Sequence, residues 1–267
     1  MSDDSRYYDR FGESKPEEPK KAKPEKVISA PGALSFAKIF GYMFIGLAIT
    51  AVISLGLGAF YRYILNIDYS TSGDAKFATT SVIILIVLLI ASLIGILVLS
   101  FVVPFRVARG TKSVLVPMII YVILMGIALS TLAIFVPWSL LGLTFGITSL
   151  VFGIMALTAI LSKSRLNGLA IAAIGLFAGA GILALVLWIM TLFGQFNEPL
   201  YWIIAFVTFA AVMLITIWDM ARIKHIAEKG EMTNNVSLYC AYILYNDFIV
   251  IFLKILRFLL IIFAKSK

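Results

Sequence analysis

Seven long apolar runs, separated by short polar segments, dominate the amino-acid sequence. They cover approximately residues 37–61, 79–103, 114–136, 140–161, 166–193, 200–220 and 238–264. Each run has the roughly 20 residues that a helix needs to cross a bilayer, whereas a membrane barrel would show segments of about 10 residues with alternating polarity. The pattern predicts an all-α, polytopic membrane protein with seven transmembrane helices. We expect Pro104 to close the second run and Pro199 to begin the sixth, where its missing N–H costs nothing.

The composition agrees with this class and narrows the chemistry. Hydrophobic residues make up 61% of the chain, charged residues 13%, and the mean hydropathy is +1.03. A soluble domain has about 45–50% apolar and 25% charged residues, so a soluble protein is excluded. The single cysteine, Cys240, excludes an internal disulfide, and the single histidine, His225, excludes a multi-histidine metal site. We expect no bound cofactor, no nucleic-acid partner and no enzymatic activity; the first partner is the lipid bilayer.

Residues 1–33 form a polar segment ahead of the first run. The segment holds four prolines and many charges, and no apolar stretch of the kind found in a signal peptide follows its start. Through Lys26 it has seven basic and seven acidic residues, so the formal charge of +8 belongs to the membrane part. We expect residues 1–33 to be a disordered cytoplasmic tail and residues 34–267 to be one transmembrane domain.

Basic residues cluster in alternate connections between the runs. The connections after the second, fourth and sixth runs contain Arg106, Arg109, Lys112, Lys163, Arg165, Arg222, Lys224 and Lys229. The positive-inside rule therefore places these connections and the N-terminus in the cytoplasm. Seven crossings would put the C-terminus outside, although the cations near the end of the chain argue mildly for a re-entrant or tilted seventh helix.

Two acidic residues interrupt the apolar pattern. Asp219 lies at the end of the sixth run and Asp247 near the middle of the seventh. A charge at membrane depth costs about 3 kcal/mol or more, which makes such a residue a functional-site hypothesis by default. If the sixth helix extends past Met220, the two carboxylates can meet, share one proton and titrate as a pair. The simpler alternative is that Asp219 faces interfacial water or pairs with Arg222.

Three cations are candidates for compensating this negative charge. Arg106 and Arg109 follow the second run and could clamp that helix against the sixth, or serve only as positive-inside anchors. Lys254 follows Asp247 by seven residues and so lies on nearly the same helix face. Snorkelling of its ammonium group toward the outer interface explains Lys254 more simply.

Small residues predict where helices pack closely. Gly142 and Gly146 in the fourth run stand four residues apart, as do Gly175 and Gly179 in the fifth. This spacing lets two helix backbones approach each other in a membrane. We therefore expect helix contacts at both pairs, with no role in binding phosphate.

Three stretches carry a family resemblance. Residues 241–257 read Ala-Tyr-Ile-Leu-Tyr-Asn-Asp-Phe-Ile-Val-Ile-Phe-Leu-Lys-Ile-Leu-Arg, and residues 217–225 read Ile-Trp-Asp-Met-Ala-Arg-Ile-Lys-His. They resemble the final and penultimate helices of the Bax inhibitor family, the transmembrane Bax inhibitor motif proteins. Residues 42–51 are similar to its first helix. Val250 and Trp218 replace the usual asparagine and tyrosine of the family, which affects local hydrogen bonding and leaves the acids in place.

The resemblance, which covers about residues 34–264, implies a seven-helix bundle with the last helix at its centre. It also implies a pH-sensitive calcium leak in a bacterial cell membrane, gated by an aspartate pair that corresponds to Asp219 and Asp247. An arginine at the cytoplasmic end of helix two latches the closed form in that family, and Arg106 or Arg109 matches it. The acid pair would also offer passing Ca²⁺ the oxygen ligands that it prefers.

Other function classes stay open from the sequence. A non-conducting regulator would bind other membrane proteins, such as proteases or cell-death factors, with the N-terminal tail as a docking arm. An intramembrane aspartyl protease also needs acids on consecutive helices, but it requires a Gly-x-Gly-Asp turn where this chain has Tyr245-Asn246-Asp247. A retinal protein is disfavoured because the third run has no acidic counter-ion for Lys254.

Overall fold

The computed structural model describes residues 32–65, 72–109, 113–162, 167–195, 197–229 and 233–265. These residues form the helices α1 (Gly32–Leu65), α2 (Ser72–Arg109), α3 (Leu115–Phe135), α4 (Trp138–Leu161), α5 (Asn167–Leu192), α6 (Glu198–Glu228) and α7 (Asn234–Lys265). Each helix covers one predicted run and the described ranges contain no strand, so the all-α prediction is confirmed. The predicted disordered tail lies almost entirely outside the described residues, as do Lys112, Lys163 and Arg165.

The helices α1 to α6 are each long and apolar enough to cross a bilayer. This confirms a polytopic membrane protein. The seventh described helix, α7, does not belong to this group, and it carries Asn246, Asp247, Lys254 and Arg257 among its apolar residues. A complete crossing by α7 therefore stays a prediction.

The helix α2 does not end where the sequence suggests. It runs through Pro104 and continues to Arg109, so the prediction that Pro104 closes the second helix is wrong. Proline removes one backbone hydrogen bond and breaks most helices in water. In a membrane no water can bind the freed groups of an unwound segment, and helices continue through proline. Arg106 and Arg109 consequently belong to the last turn of α2 and not to a loop.

The helix α6 is longer than its apolar run. It begins after Asn197, whose side chain accepts a hydrogen bond from the Leu200 N–H at 3.0 Å, and Pro199 lies in its first turn as predicted. It ends at Glu228, eight residues or roughly 12 Å beyond Met220. The extension that a meeting of the two acids requires is therefore present.

The last helix occupies the centre of the bundle. The helix α7 packs against α1, α2, α3, α4 and α6, which confirms the central position implied by the family resemblance. Leu244, Tyr245, Phe248 and Ile251 of α7 are almost completely buried. Leu244, Phe248 and Ile251 share one face of α7, and Tyr245 lies about 100° away from it. Protein therefore covers a broad part of the helix surface in its middle turns, while Val250 is 41% exposed.

Polar contacts join the helix ends at one end of the bundle. Lys38 Nζ on α1 donates to Asn234 Oδ1 on α7 at 2.9 Å, and the Val114 N–H donates to Asn235 Oδ1 at 3.2 Å. Lys224 Nζ on α6 donates to the carbonyl oxygens of Ile160 and Ser162 at the end of α4, at 2.7 and 3.0 Å. These contacts hold the beginning of α7 to α1 and to the start of α3, and the end of α6 to the end of α4.

Glycines mark close helix packing, but at other positions than predicted. A Cβ atom added at Gly142, Gly146, Gly175 or Gly179 would meet no atom within 4 Å, so the prediction of contacts at these pairs is wrong. The close approaches involve Gly58 with Ala133 and Gly126 with Ile53 between α1 and α3, and Gly95 with Leu124 between α2 and α3. Spacing along one helix does not reveal which of its faces meets a neighbour.

Substituting alanine at Gly126 tests the α1–α3 contact. The added Cβ would lie 2.8 Å from Ile53 Cβ, and overpacking of this kind costs about 1–3 kcal/mol. We expect Gly126→Ala to lower the thermal unfolding midpoint of the purified protein in detergent. Gly146→Ala is the matched control, because its Cβ meets open space and alanine favours a helix by about 1 kcal/mol over glycine. Equal midpoints for the two variants would contradict this account.

Candidate gating site

Asp247 lies on the central helix with one carboxylate oxygen enclosed. Its Oδ2 atom is buried and has no hydrogen-bond partner among the described residues. Buried polar atoms in proteins are nearly always hydrogen-bonded, and an unpaired one costs several kcal/mol. Two described side-chain atoms are buried without a partner, Ser149 Oγ and Asp247 Oδ2, and only the second belongs to a group that can carry a charge.

Asp219 lies near Asp247, on the neighbouring helix α6. The two carboxylates are close enough for the charge of Asp219 to act on Asp247. Arg222, three residues further along α6, exerts its positive charge on Asp219, and both residues also act on Tyr239 and Cys240 of α7. No ion pair joins either acid to a cation within the described part of the chain. The structure thus brings the two predicted acids into one neighbourhood and adds Arg222 to it.

The two latch candidates lie at the end of α2. Arg106 donates through Nη1 to the carbonyl oxygen of Ser113 at 3.4 Å, while Arg109 is exposed. Neither forms an ion pair with Asp219 in the ranges that the structure describes. The cation whose charge acts on Asp219 in this structure is Arg222, the residue that the sequence offered as a simple partner of this acid.

A band of polar side chains surrounds α7 at the level of Asp247. The hydroxyl groups of Thr50 and Tyr245 lie 2.6 Å apart, and Thr50 Oγ1 donates to the carbonyl oxygen of Val122 at 3.3 Å. Since Thr50 has one proton to donate, the Tyr245 hydroxyl is the donor in the first bond. Tyr121 on α3 donates its hydroxyl to Asn246 Oδ1 at 2.5 Å. This band bonds α7 to α1 and α3 immediately beside the acid.

This band was not predicted from the sequence, although the motif at residues 245–247 contains a signal for it. Tyr245, Asn246 and Asp247 are consecutive, and consecutive helical residues point about 100° apart. Three adjacent polar residues in a buried helix therefore face three different directions. Their partners on α1 and α3, Thr50 and Tyr121, are single polar residues in apolar runs, which the sequence gives no reason to select.

Lys254 contacts α6 instead of the acid pair. Its Nζ atom donates to Thr208 Oγ1 at 2.9 Å. One turn later, the guanidinium group of Arg257 lies over the ring of Tyr201, 4.9 Å from its centroid. Lys254 therefore fastens α7 to α6 at a level beyond Asp247 and does not compensate the pair.

The residues present could hold a cation only in part. No cluster of three or more histidine, cysteine, aspartate or glutamate side chains occurs within the described ranges. Resident Ca²⁺ takes six to eight oxygen ligands, so two carboxylates would leave most of the coordination shell to water. This donor set suits brief contact with a passing cation better than a permanent metal site.

These features define a polytopic helical membrane protein whose enclosed last helix carries an acid beside a second acid from the preceding helix. The sequence model of the family described as "Inhibitor of apoptosis-promoting Bax1" matches residues 33–264. The chain belongs to this family, the Bax inhibitor family.

Two bacterial proteins are similar to this chain, and one of them is described as an inner membrane protein. It is similar to "Inner membrane protein YbhL" of Escherichia coli strain K12, with 27% identity over 226 residues, 83% of this chain and 88% of the relative. It is also 29% identical over 143 residues to "Uncharacterized protein RP147" of Rickettsia prowazekii, covering 52% of this chain and 58% of the relative. No solved structure matches the chain. The inner-membrane relative agrees with the integral, multi-pass character of the helices.

The strength of the hydrogen bond between Thr50 and Tyr245 can be measured with a double-mutant cycle. We expect Thr50→Val and Tyr245→Phe each to lower the thermal unfolding midpoint, and the double variant to lose less than the sum of the two. The reason is that one shared hydrogen bond is lost only once, with a coupling energy of about 0.5–1.5 kcal/mol. Strictly additive losses in the purified protein would show that the two hydroxyl groups do not interact.

Proposed function

We propose that the chain is a pH-sensitive leak for calcium or other cations, gated by Asp219 and Asp247. The observation that carries the proposal is the enclosed Oδ2 atom of Asp247, which has no hydrogen-bond partner among the described residues and feels the charge of a second acid. Ionisable residues inside a membrane bundle commonly mark ion pathways and proton relays. Membership in the Bax inhibitor family supports the same function.

Proton binding would act on the packing of α6 against α7. With both carboxylates ionised, the two helices carry repelling charges at low dielectric. One proton replaces that repulsion by a shared hydrogen bond, and the pair then titrates as a unit. Because the acids belong to different helices, proton occupancy biases the position of α6 relative to α7, the kind of two-state element that a switch requires.

The distribution of bases supports an N-terminus in the cytoplasm. Lys38 near the start of α1, Arg106 and Arg109 at the end of α2, and Lys224 near the end of α6 all lie at the end of the bundle where α7 begins. Under the positive-inside rule that end is cytoplasmic. Asp219 and Asp247 then lie in the half of the bundle nearer the cytoplasm.

Calcium flux into vesicles tests the proposal directly. The purified protein is reconstituted in lipid vesicles that contain a calcium indicator, and flux is measured from pH 5 to pH 8. We expect flux that depends on pH, and we expect Asp219→Asn and Asp247→Asn to abolish that dependence. If the interaction between the acids is worth about 1.4 kcal/mol, protonation changes the open population about tenfold. The flux of the wild-type protein should then differ by about that factor between the two ends of the pH range.

A matched control removes an acid from the same helix without touching the pair. Glu228 at the end of α6 approaches Lys224 at 3.8 Å and is exposed, so Glu228→Gln should leave the flux–pH curve unchanged. Flux that survives both aspartate substitutions with its pH dependence intact would refute the gating role. Absence of flux from the wild-type protein, together with a co-purifying protein that is lost on removal of residues 1–30, would favour a non-conducting regulator instead.

Arg222 provides a second test, because its charge acts on Asp219. Removing a cation that opposes protonation should move the midpoint of the flux–pH curve of Arg222→Gln to higher pH. The shift should stay below about one unit, since Arg222 is exposed and solvent screens its charge. If Arg106 or Arg109 is the latch, its substitution by glutamine should instead raise the leak at every pH. An Arg222→Gln curve that superimposes on the wild type would remove this residue from the site.

A further inference from the structure

A cavity of about 350 Å³ lies between α1, α3, α4 and α7. This volume is within the range of about 300–1,000 Å³ for small-molecule sites. The cavity lies beyond Asp247 toward the α3–α4 connection, and Phe248, the residue after the acid, forms part of its wall. It is thus separate from the acid pair, which faces α6.

The floor and the rim of the cavity come from different helices. Phe248 and Ile249 of α7 form a buried floor. The rim residues are exposed: Leu55 of α1 has 41% of its surface accessible, and Trp138 and Phe145 of α4 have 51% and 44%. The cavity therefore opens sideways, between α1 and α4, toward the region that lipid occupies.

The separation of α1 and α4 at this level has a structural cause. Near the end of the bundle where α7 begins, the rings of Phe40 on α1 and Phe152 on α4 meet with centroids 6.4 Å apart. Toward the α3–α4 connection, α1 instead packs closely on α3, where Gly58 and Gly126 bring the backbones together. Tight α1–α3 packing draws α1 away from α4 and leaves the gap.

The lining of the cavity favours an apolar occupant. Among the described residues that line it, only Thr50, Ser54 and Trp138 contribute polar atoms, and none is charged. The Thr50 hydroxyl is already bonded to Tyr245 and Val122. A trapped water needs two to four polar partners, whereas apolar cavities bind apolar molecules. A hydrocarbon chain from the surrounding bilayer meets these requirements.

A cation lies at the end of the cavity next to the α3–α4 connection. Arg62 of α1 donates through Nε to the carbonyl oxygen of Ile134 at 2.8 Å and through Nη2 to that of Val136, and its guanidinium group lies 5.7 Å from the ring centroid of Trp138. It forms no ion pair with any described carboxylate. Guanidinium groups bind phosphate well, and tryptophan favours the headgroup level of a bilayer. The combination fits a phospholipid in outline: an apolar slot with, at its interfacial end, a guanidinium group that has no carboxylate partner among the described residues.

We propose that this cavity binds one acyl chain of a membrane phospholipid, which enters between α1 and α4 with its phosphate group toward Arg62. The chain would lie against the floor formed by Phe248 and Ile249. This site does not depend on the proposed leak function, since its argument uses only the cavity, its opening and Arg62.

Photo-crosslinking tests the site with the full-length protein. It is reconstituted in phosphatidylglycerol vesicles in which a fraction of the lipid carries a diazirine in the acyl chain, and labelled residues are identified by mass spectrometry. We expect labels on Phe248, Ile249 or Phe252, which lie in the cavity wall beneath the lipid-facing surface. Labels confined to exposed residues would overturn the proposal, because any surrounding lipid reaches those.

Two glycines on α4 provide a matched pair of variants. Gly142 lines the cavity, Gly146 does not, and a Cβ at either position meets no atom within 4 Å. Gly142→Leu should fill the cavity and lose the floor labels, while Gly146→Leu should keep them. If Gly142→Leu does not fold, Ala51→Leu fills the cavity from the rim on α1. Floor labels that persist in a folded cavity-filling variant would contradict an occupied cavity.

A second probe distinguishes a phospholipid from a free fatty acid. A diazirine fatty acid of the same chain length is compared with the phospholipid probe at equal mole fraction. Arg62→Gln should reduce floor labelling by the phospholipid, since the phosphate loses its cation. Floor labelling by the fatty acid alone would show that the cavity takes hydrocarbon chains but not a phospholipid, and would overturn the proposal in this form.

Discussion

The absence of water inside a bilayer is the constraint on which this fold depends. Every polar group at membrane depth has to find its partner within the protein. The helix α7 carries more such groups in its middle than the other described helices, and it is the helix that five others enclose. Tyr245 and Asn246 reach hydroxyl groups on α1 and α3. A lipid-facing position would leave these groups unpaired, so the polar content of α7 places it at the centre.

The same constraint makes Asp247 exceptional. Its neighbours in the chain satisfy their hydrogen-bonding groups, whereas its Oδ2 atom is enclosed without a partner among the described residues. Hydrogen bonds join the surrounding helices at both ends of the bundle. Lys38 and Lys224 bind helix ends where α7 begins, and Arg62 binds the end of α3 at the opposite end. The proposed proton switch would act on this unsatisfied carboxylate, at the contact between α6 and α7.

Close packing in one place creates space in another. Glycines at the α1–α3 crossing bring these helices together, while the hydrogen bonds of Arg62 hold α1 to the end of α3. Because α1 packs on α3, a gap remains between α1 and α4, and this gap is the apolar cavity beside α7. The acid pair and the cavity are thus on different sides of the central helix, one facing α6 and the other facing the lipid.

The sequence by itself determined the class of protein and the number of helices, because a long apolar run has few stable forms in a bilayer. It also singled out Asp219 and Asp247, because a charged residue within or beside such a run is conspicuous. It also carried the family signature at residues 241–257. Only the tertiary structure decided which glycines make contacts, that α2 continues through Pro104, and that Arg222 is the cation that acts on Asp219. The hydrogen-bond partners of Tyr245 and Asn246 could not be predicted from the sequence either. Each of these depends on how the helices are rotated and which faces meet, and the largely apolar helices α1 to α6 carry little periodicity from which that rotation could be inferred.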